Sequence, residues 1–217
     1  MILASSASRS AAAYAAIGAR DAPGTALVQV SGAVKTPGIV ETPTGTPLRA
    51  IVRAAGGPSG EVKAVLVGGP SGGFLPADAL DTPYDQAALG AAGAIVGSGS
   101  VLVVDGGACI VELATLLERF MSDESCGKCI PCRIGTRRLT EIGERFVSGR
   151  PRPNDLPLLA DLAADVRDGS LCGHGITAPN PLVSGMRYFA AEFEDHIVRS
   201  TCPAGVCSPL RVAGGIA

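Results

Sequence analysis

Three cysteines fall within seven residues in the run Glu124-Ser125-Cys126-Gly127-Lys128-Cys129-Ile130-Pro131-Cys132. Cysteines spaced three apart can turn their sulfurs toward one point in a short loop, and this C-x2-C-x2-C pattern is typical of iron–sulfur proteins. A fourth sulfur must come from elsewhere, and Cys172, in the glycine-rich run Gly169-Ser170-Leu171-Cys172-Gly173-His174-Gly175, is the predicted fourth ligand. A structural zinc ion or a redox pair is the alternative, although zinc sites normally take their cysteines from two separated pairs.

Both cysteine motifs belong to longer patterns, one from Asp123 to Arg137 and the other from Ser170 to Pro181. Together they resemble the NADH-oxidising flavoprotein subunit of respiratory complex I and its relatives in NAD-linked hydrogenases and formate dehydrogenases. The resemblance implies that four cysteines hold a [4Fe–4S] cluster that takes single electrons from a flavin: Cys126, Cys129, Cys132 and Cys172. It also implies that the partners are other subunits of such a complex, including a flavin-bearing domain and a ferredoxin-like subunit.

The surroundings of these cysteines favour the reduced state of a cluster. Backbone N–H groups of Gly127, Gly173 and Gly175, with the charges of Lys128 and Arg133, would stabilise added negative charge and raise the reduction potential. His174 is interpreted as a neighbour of the cluster rather than a ligand, because four thiols already suffice.

The beginning of the chain bears on activity. The stretch Ala11 to Gly18 resembles the last helix of the family's flavin domain, so residues 1–22 are expected to be a remnant of that domain or a linker. No glycine-rich run in the sequence fits a dinucleotide fingerprint or a P-loop. FMN and NADH are therefore expected only in the complete subunit or complex, and the chain alone should not oxidise NADH. A complete enzyme is the alternative, and it predicts NADH-dependent dye reduction by the isolated chain.

Residues 23–105 are predicted to form a small β-grasp domain, in the order strand, strand, helix, strand. The expected strands and helix are Thr25–Gly32, Ile39–Glu41, Leu48–Ala54 closed by Gly56-Gly57, Val62–Val67 and Val101–Val104. This order resembles the ligand-binding β-grasp domain of the family, with an unrelated α+β domain as the alternative, and it is expected to act as a docking spacer. The uncharged stretch Gln86 to Val104 is interpreted as a loop entering a buried strand, not as a membrane span.

In residues 106–200 the hydrophobic pattern changes to the 3.6-residue period of helices. These residues are predicted to form an all-α four-helix bundle that carries the cluster between helix ends. With the β-grasp domain, the overall fold class is α+β. The expected inward residues, helix by helix, are Val111, Ala114, Leu117, Phe120 and Met121; Leu139, Ile142 and Phe146; Leu158, Leu159, Leu162 and Val166; and Met186, Phe189, Phe193 and Ile197. Asn154 or Asp155 can cap the third helix.

The tail, residues 201–217, offers a second possible metal site. His196, Cys202 and Cys207 could bind zinc, which requires a fourth ligand that the sequence does not identify; two idle or paired thiols are the alternative. Cys109 is interpreted as a small buried hydrophobic residue.

Composition excludes some classes of function. The 217 residues carry a net charge of −2 and no tryptophan, which argues against a nucleic-acid or membrane-surface binder. Clustered thiols without a convincing secretory signal indicate a reducing compartment, the cytoplasm. The predicted function is an electron-relay component of an NADH dehydrogenase-type complex. The competing hypothesis is a non-redox scaffold or interaction module whose thiols bind zinc.

Overall fold

The computed structural model describes residues 10–208 and 210–212, and it confirms the α+β class. The chain forms two compact units, one comprising the residues up to Gly69 with Leu75–Asp105, the other Pro70–Phe74 with the residues from Gly106 onward. The predictions for residues 1–9, 209 and 213–217 lie outside the described residues.

The first unit is built on a five-stranded sheet. Its elements are α1 (Ala11–Ala15), β1 (Gly18–Ala19), β2 (Ala22–Pro23), β3 (Thr25–Gly32), β4 (Gly38–Pro43), α2 (Leu48–Ala54), β5 (Val62–Val67), the part of β6 (Gly73–Pro76) from Leu75 onward, α3 (Gln86–Ala92) and β7 (Ser100–Asp105). The strand order is β4-β3-β7-β5-β6, with β3 antiparallel to β4, β7 parallel to β3, and β5 antiparallel to β7.

Alternating side chains give β3 one buried and one more exposed face. Val28 and Val30 are fully buried while the adjacent Leu27 is 55% exposed, as expected where successive side chains point to opposite faces. The helix α2 buries Leu48, Ile51 and Val52. It ends at Gly56 and Gly57, whose φ angles of 79° and 77° favour glycine.

One prediction in this unit was wrong in part. The stretch that begins at Gln86 starts with the helix α3 rather than a loop, because Asp85 caps it by accepting a hydrogen bond from Ala88 N–H at 2.7 Å. Gly93, with a φ of 87°, ends the helix before the buried strand β7. None of the described helices is long and apolar enough to cross a membrane.

The second unit is helical. Its elements are α4 (Ile110–Asp123), α5 (Ile130–Val147), α6 (Asp155–Gly169), α7 (Gly173–Thr177), α8 (Asn180–Tyr188), α9 (Ala190–Glu194), a π-helical turn (Asp195–Arg199), β8 (Thr201–Cys202) and β9 (Arg211–Val212). Phe146 of α5 and Phe193 of α9 pack edge to face with ring centroids 6.4 Å apart. The predicted inward residues Leu139, Ile142 and Leu159 are buried.

Two of the predicted core positions were wrong. Phe120 is 47% exposed and Leu158 is 49% exposed. On α4 the buried face continues instead through Thr115 and Glu118, so a carboxyl group occupies a core position. The predicted fourth helix also breaks at Phe189, where φ of −126° and ψ of 38° interrupt the helical hydrogen bonds.

Candidate metal centres

The cysteine loop joins α4 to α5. After α4 ends, Ser125 N–H donates to Ser122 O, and Gly127 takes a φ of 74° that lets the chain turn back. Cys129 is the N-terminal cap residue of α5, and Pro131 stands in the first turn of that helix, where its missing N–H costs nothing. The loop is thus fixed at both ends by helices.

The turn that carries Cys172 packs against this loop. A Cβ on Gly175 would lie 2.9 Å from Cys132 Cβ and 2.3 Å from Ser170 Oγ, and a Cβ on Gly169 would lie 2.9 Å from Pro131 Cγ. Glycines at these positions are what allow the two segments to approach so closely. The turn that carries Cys172 therefore packs on the first turn of α5, at Pro131 and Cys132.

The four cysteines differ in their exposure to solvent. Cys132 is 4% exposed, Cys129 is intermediate, and Cys126 and Cys172 are exposed. Burial raises the pKa of the Cys132 thiol; the Ser125 hydroxyl opposes this, and negative charge on Cys129, Cys172 and Cys126 raises the pKa further. A cation bound among deprotonated cysteines would offset such repulsion between their charges.

Backbone donors favour a thiolate at Cys129. Its pKa is lowered, mainly by hydrogen bonds from Leu171 N–H and Cys132 N–H. His174 is engaged elsewhere, since its Nε2 lies 2.8 Å from Met121 O. Thiolates with amide donors are the groups that hold iron–sulfur clusters, so the residues present fit a [4Fe–4S] cluster.

A second cluster of metal-binding side chains lies at the start of α4. It consists of Cys109, His196, Cys202 and Cys207, all buried, whose ligand atoms lie within 4.8 Å of one another. His196 Nε2 is 3.4 Å from Cys109 Sγ and 3.4 Å from Cys207 Sγ, and the two sulfurs are 3.6 Å apart. Tetrahedral zinc with Zn–S bonds of about 2.3 Å spaces its sulfurs by about 3.8 Å. These separations match a single ion and are too short for the corners of a four-iron cube.

The imidazole of His196 is already oriented for metal binding. Its Nδ1 donates to Glu192 O at 2.7 Å, so Nε2 is the nitrogen that faces the sulfurs and that would bind a metal after losing its proton. Burial lowers the pKa of His196, but the Cys109 sulfur and the Glu192 carbonyl outweigh it and raise the pKa to about 9. The pKa of Cys109 falls to about 4, mainly through its hydrogen bond with Cys207. The ring belongs to a π-helical turn, a local distortion that frequently marks functional sites.

Cys109 is a member of this cluster that the sequence analysis did not include among the possible ligands. It is fully buried, as expected for a small hydrophobic residue, but its Sγ faces His196 and Cys207. It also accepts a hydrogen bond from Glu112 N–H at the start of α4. The sequence did contain a signal for this residue: His196, Cys202 and Cys207 lacked a fourth ligand, and Cys109 was a cysteine without an assigned role.

Two parts of the chain match profiles of known families. A family profile described as the NADH-ubiquinone oxidoreductase-F iron–sulfur binding region matches residues 112–196. This part of the chain is thus similar to the iron–sulfur region of that oxidoreductase family. A second profile, the SLBB domain, matches residues 27–75. The resemblance inferred from the cysteine motifs is therefore confirmed.

Curated relatives include proteins of both hydrogenases and quinone oxidoreductases. The NADP-reducing hydrogenase subunit HndC of Solidesulfovibrio fructosivorans is 42% identical over 91% of this chain and 41% of its own length. An NADH-quinone oxidoreductase subunit of Streptomyces coelicolor is 35% identical over 88% of this chain and 43% of its own length. The chain thus spans less than half the length of these relatives.

A solved structure shares the fold. A crystal structure of a NAD+-reducing [NiFe]-hydrogenase in the H2-reduced state superposes with a TM-score of 0.81 and 35% identity, over 90% of this chain and 34% of that one.

Proposed function

We propose that this chain relays single electrons through a [4Fe–4S] cluster held by Cys126, Cys129, Cys132 and Cys172. The observation that supports the proposal is the close packing of the Gly169 to Gly175 turn on Pro131 and Cys132. When bound, such a cluster accepts and returns one electron. The chain's own residues hold it rigidly between helix ends, offer backbone N–H donors to its sulfurs, and leave Cys126 and Cys172 exposed toward a redox partner.

The complete system in this proposal contains more than this chain. FMN and NADH belong to a flavin-bearing domain, and a ferredoxin-like subunit takes the electrons onward, within an NADH dehydrogenase, NAD-linked hydrogenase or formate dehydrogenase complex in the cytoplasm. Similarity to hydrogenase and quinone-oxidoreductase subunits supports this assignment. The proposed domains are residues 23–105 for the β-grasp domain and 106–200 for the iron–sulfur domain, consistent with the two matched profiles.

A second proposed function is structural. Cys109, His196, Cys202 and Cys207 bind one zinc ion that ties the start of α4, the π-helical turn and the tail together. The tail presents its two cysteines in a tight turn in which Gly205, with a φ of 70°, directs its N–H to Cys202 O at 3.0 Å. Four buried ligands with no open position are typical of structural rather than catalytic zinc.

One experiment tests both sites at once. The chain is reconstituted anaerobically with iron, sulfide and zinc, and metal content is measured together with the low-temperature paramagnetic signal after dithionite reduction. We expect C129A to lose iron and the signal while keeping zinc, and C109A to lose zinc while keeping iron. Each variant is the control for the other, because both remove one thiol from a helix start.

Contrary outcomes are equally clear. A colourless protein containing only zinc would favour the non-redox scaffold over the electron relay. Iron content and signal unchanged in C129A would remove that residue from the cluster. Zinc retained in C109A would refute the four-ligand site, and a disulfide found between Cys109 and Cys207 under anaerobic reducing conditions would replace it with a paired-thiol explanation.

A further inference from the structure

The hydroxyl of Ser125 lies beside one of the proposed cluster ligands. Its Oγ is 3.3 Å from Cys132 Sγ, and the same oxygen accepts a hydrogen bond from Gly127 N–H at 3.4 Å. A cysteine that binds iron is a thiolate and can only accept. Because Gly127 uses a lone pair of the oxygen, the single hydroxyl proton of Ser125 is left to point at the Cys132 sulfur.

Cys132 is the cysteine for which this donor matters most. It is 4% exposed, whereas Cys126 and Cys172 are open to water that can solvate their sulfurs. A hydrogen bond is electrostatically stronger where water does not compete. The buried sulfur therefore depends on protein donors, and Ser125 supplies one.

Backbone hydrogen bonds on both sides of Ser125 hold its hydroxyl in place. The Ser125 N–H donates to Ser122 O at 3.3 Å at the end of α4, and Gly127, which starts a left-handed turn, donates its own N–H to the Ser125 hydroxyl. A side chain at position 127 would be strained by that φ of 74°. The donor is thus preorganised before any electron arrives.

We propose that Ser125 raises the reduction potential of the cluster by donating its hydroxyl hydrogen bond to Cys132 Sγ, an inference that rests on the proposed role of Cys132 as a ligand. Reduction adds one electron whose charge is shared with the cysteine sulfurs, so a fixed donor stabilises the reduced state more than the oxidised one. No bond forms or breaks, and the proton stays on the serine oxygen. Ser125 is a positioning residue for electron transfer and does not exchange electrons itself.

The test is a redox titration of the reconstituted full chain, monitored by the paramagnetic signal of the reduced cluster. A hydrogen bond to a charged group contributes on the order of a tenfold change in an equilibrium constant or more. Loss of the hydroxyl in S125A should shift the one-electron equilibrium about tenfold toward the oxidised state, which lowers the midpoint potential by about 59 mV. S125T, which keeps a hydroxyl, should restore most of the difference. S122A, which removes a hydroxyl before the loop turn without a sulfur partner, should leave the potential unchanged.

The possible results separate this inference from the proposed function. A wild-type chain that takes up no iron–sulfur cluster would refute both. A loaded cluster with the same potential in wild type and S125A would refute only the role of Ser125, as would an equal shift in S122A. If S125A and S125G both fail to take up iron while S125T takes it up, the hydroxyl serves assembly and the tuning role is wrong.

Discussion

Glu118 is a buried carboxyl group whose replacement should change how stability depends on pH. It is 0% exposed in the middle of α4, and within the described parts of the chain neither of its carboxyl oxygens has a hydrogen-bond partner. Burial raises its pKa well above the ordinary range, so the native protein keeps this group protonated where the unfolded chain has released the proton.

The sign and size of the effect follow from this difference. The unfolded carboxyl loses its proton above about pH 4.3, whereas the folded one keeps it up to a much higher pH. The stability that the protonated group provides is fully present below the pKa of the carboxyl in the unfolded chain. It is lost as the pH rises toward the pKa of the same carboxyl in the folded protein. The loss is about 1.4 kcal/mol per pH unit. Glutamine at position 118 cannot ionise. The free energy of unfolding of E118Q, relative to that of the wild type, should therefore rise by about 1.4 kcal/mol between about pH 5 and pH 6.

The assay is urea denaturation of both proteins at these two pH values, followed by circular dichroism in the far-ultraviolet helical band. Other titrating groups, including the metal ligands, affect both proteins alike and cancel in the difference. E61Q is the matched control, because Glu61 is exposed in the first unit and its replacement should track the wild type. If E118Q and the wild type differ by the same free energy at both pH values, the buried carboxyl is not protonated in the native protein.

Further perturbations address the helical packing. The pKa of Asp155 is lowered chiefly by the hydrogen bond from Arg145, whose Nε lies 2.7 Å from Asp155 Oδ2. The stability that this pair provides is therefore present above about pH 3.9, the pKa of an unfolded aspartate. It is lost as the pH falls through the lower pKa of Asp155 in the native protein. D155N should cost about 2–3 kcal/mol at neutral pH and much less at about pH 3 in urea denaturation, and an equal cost at both would contradict the ion-pair explanation. G135A should lower the melting temperature, because the new Cβ would lie 2.1 Å from Val166 Cγ2 and overpacking costs about 1–3 kcal/mol. G90A, in the helix α3 with nothing within 4 Å of the added Cβ, should raise stability by about 0.5–1 kcal/mol, and a fall comparable to that of G135A would refute the steric argument.

The sequence by itself determined the local elements and the cysteine loop. Short β-rich runs between turns located β3, β5 and β7, and the 3.6-residue period located α4, α5 and α6, because both patterns involve residues that are close in the chain. The spacing of Cys126, Cys129 and Cys132 likewise needs only one short loop. The glycine-rich motif around Cys172 carried the resemblance that the family profile confirmed.

Only the tertiary structure decided which distant groups meet. Cys109 joins His196, Cys202 and Cys207 across almost the whole second unit, and no spacing rule links residues so far apart. The same holds for Glu118, which lies in the core while Phe120 faces outward, because the neighbouring helices α5 and α8 fix which side of α4 is covered. Helical periodicity predicts that a helix has an apolar face and about how wide it is. The neighbouring helices that pack on it decide which of its residues are buried.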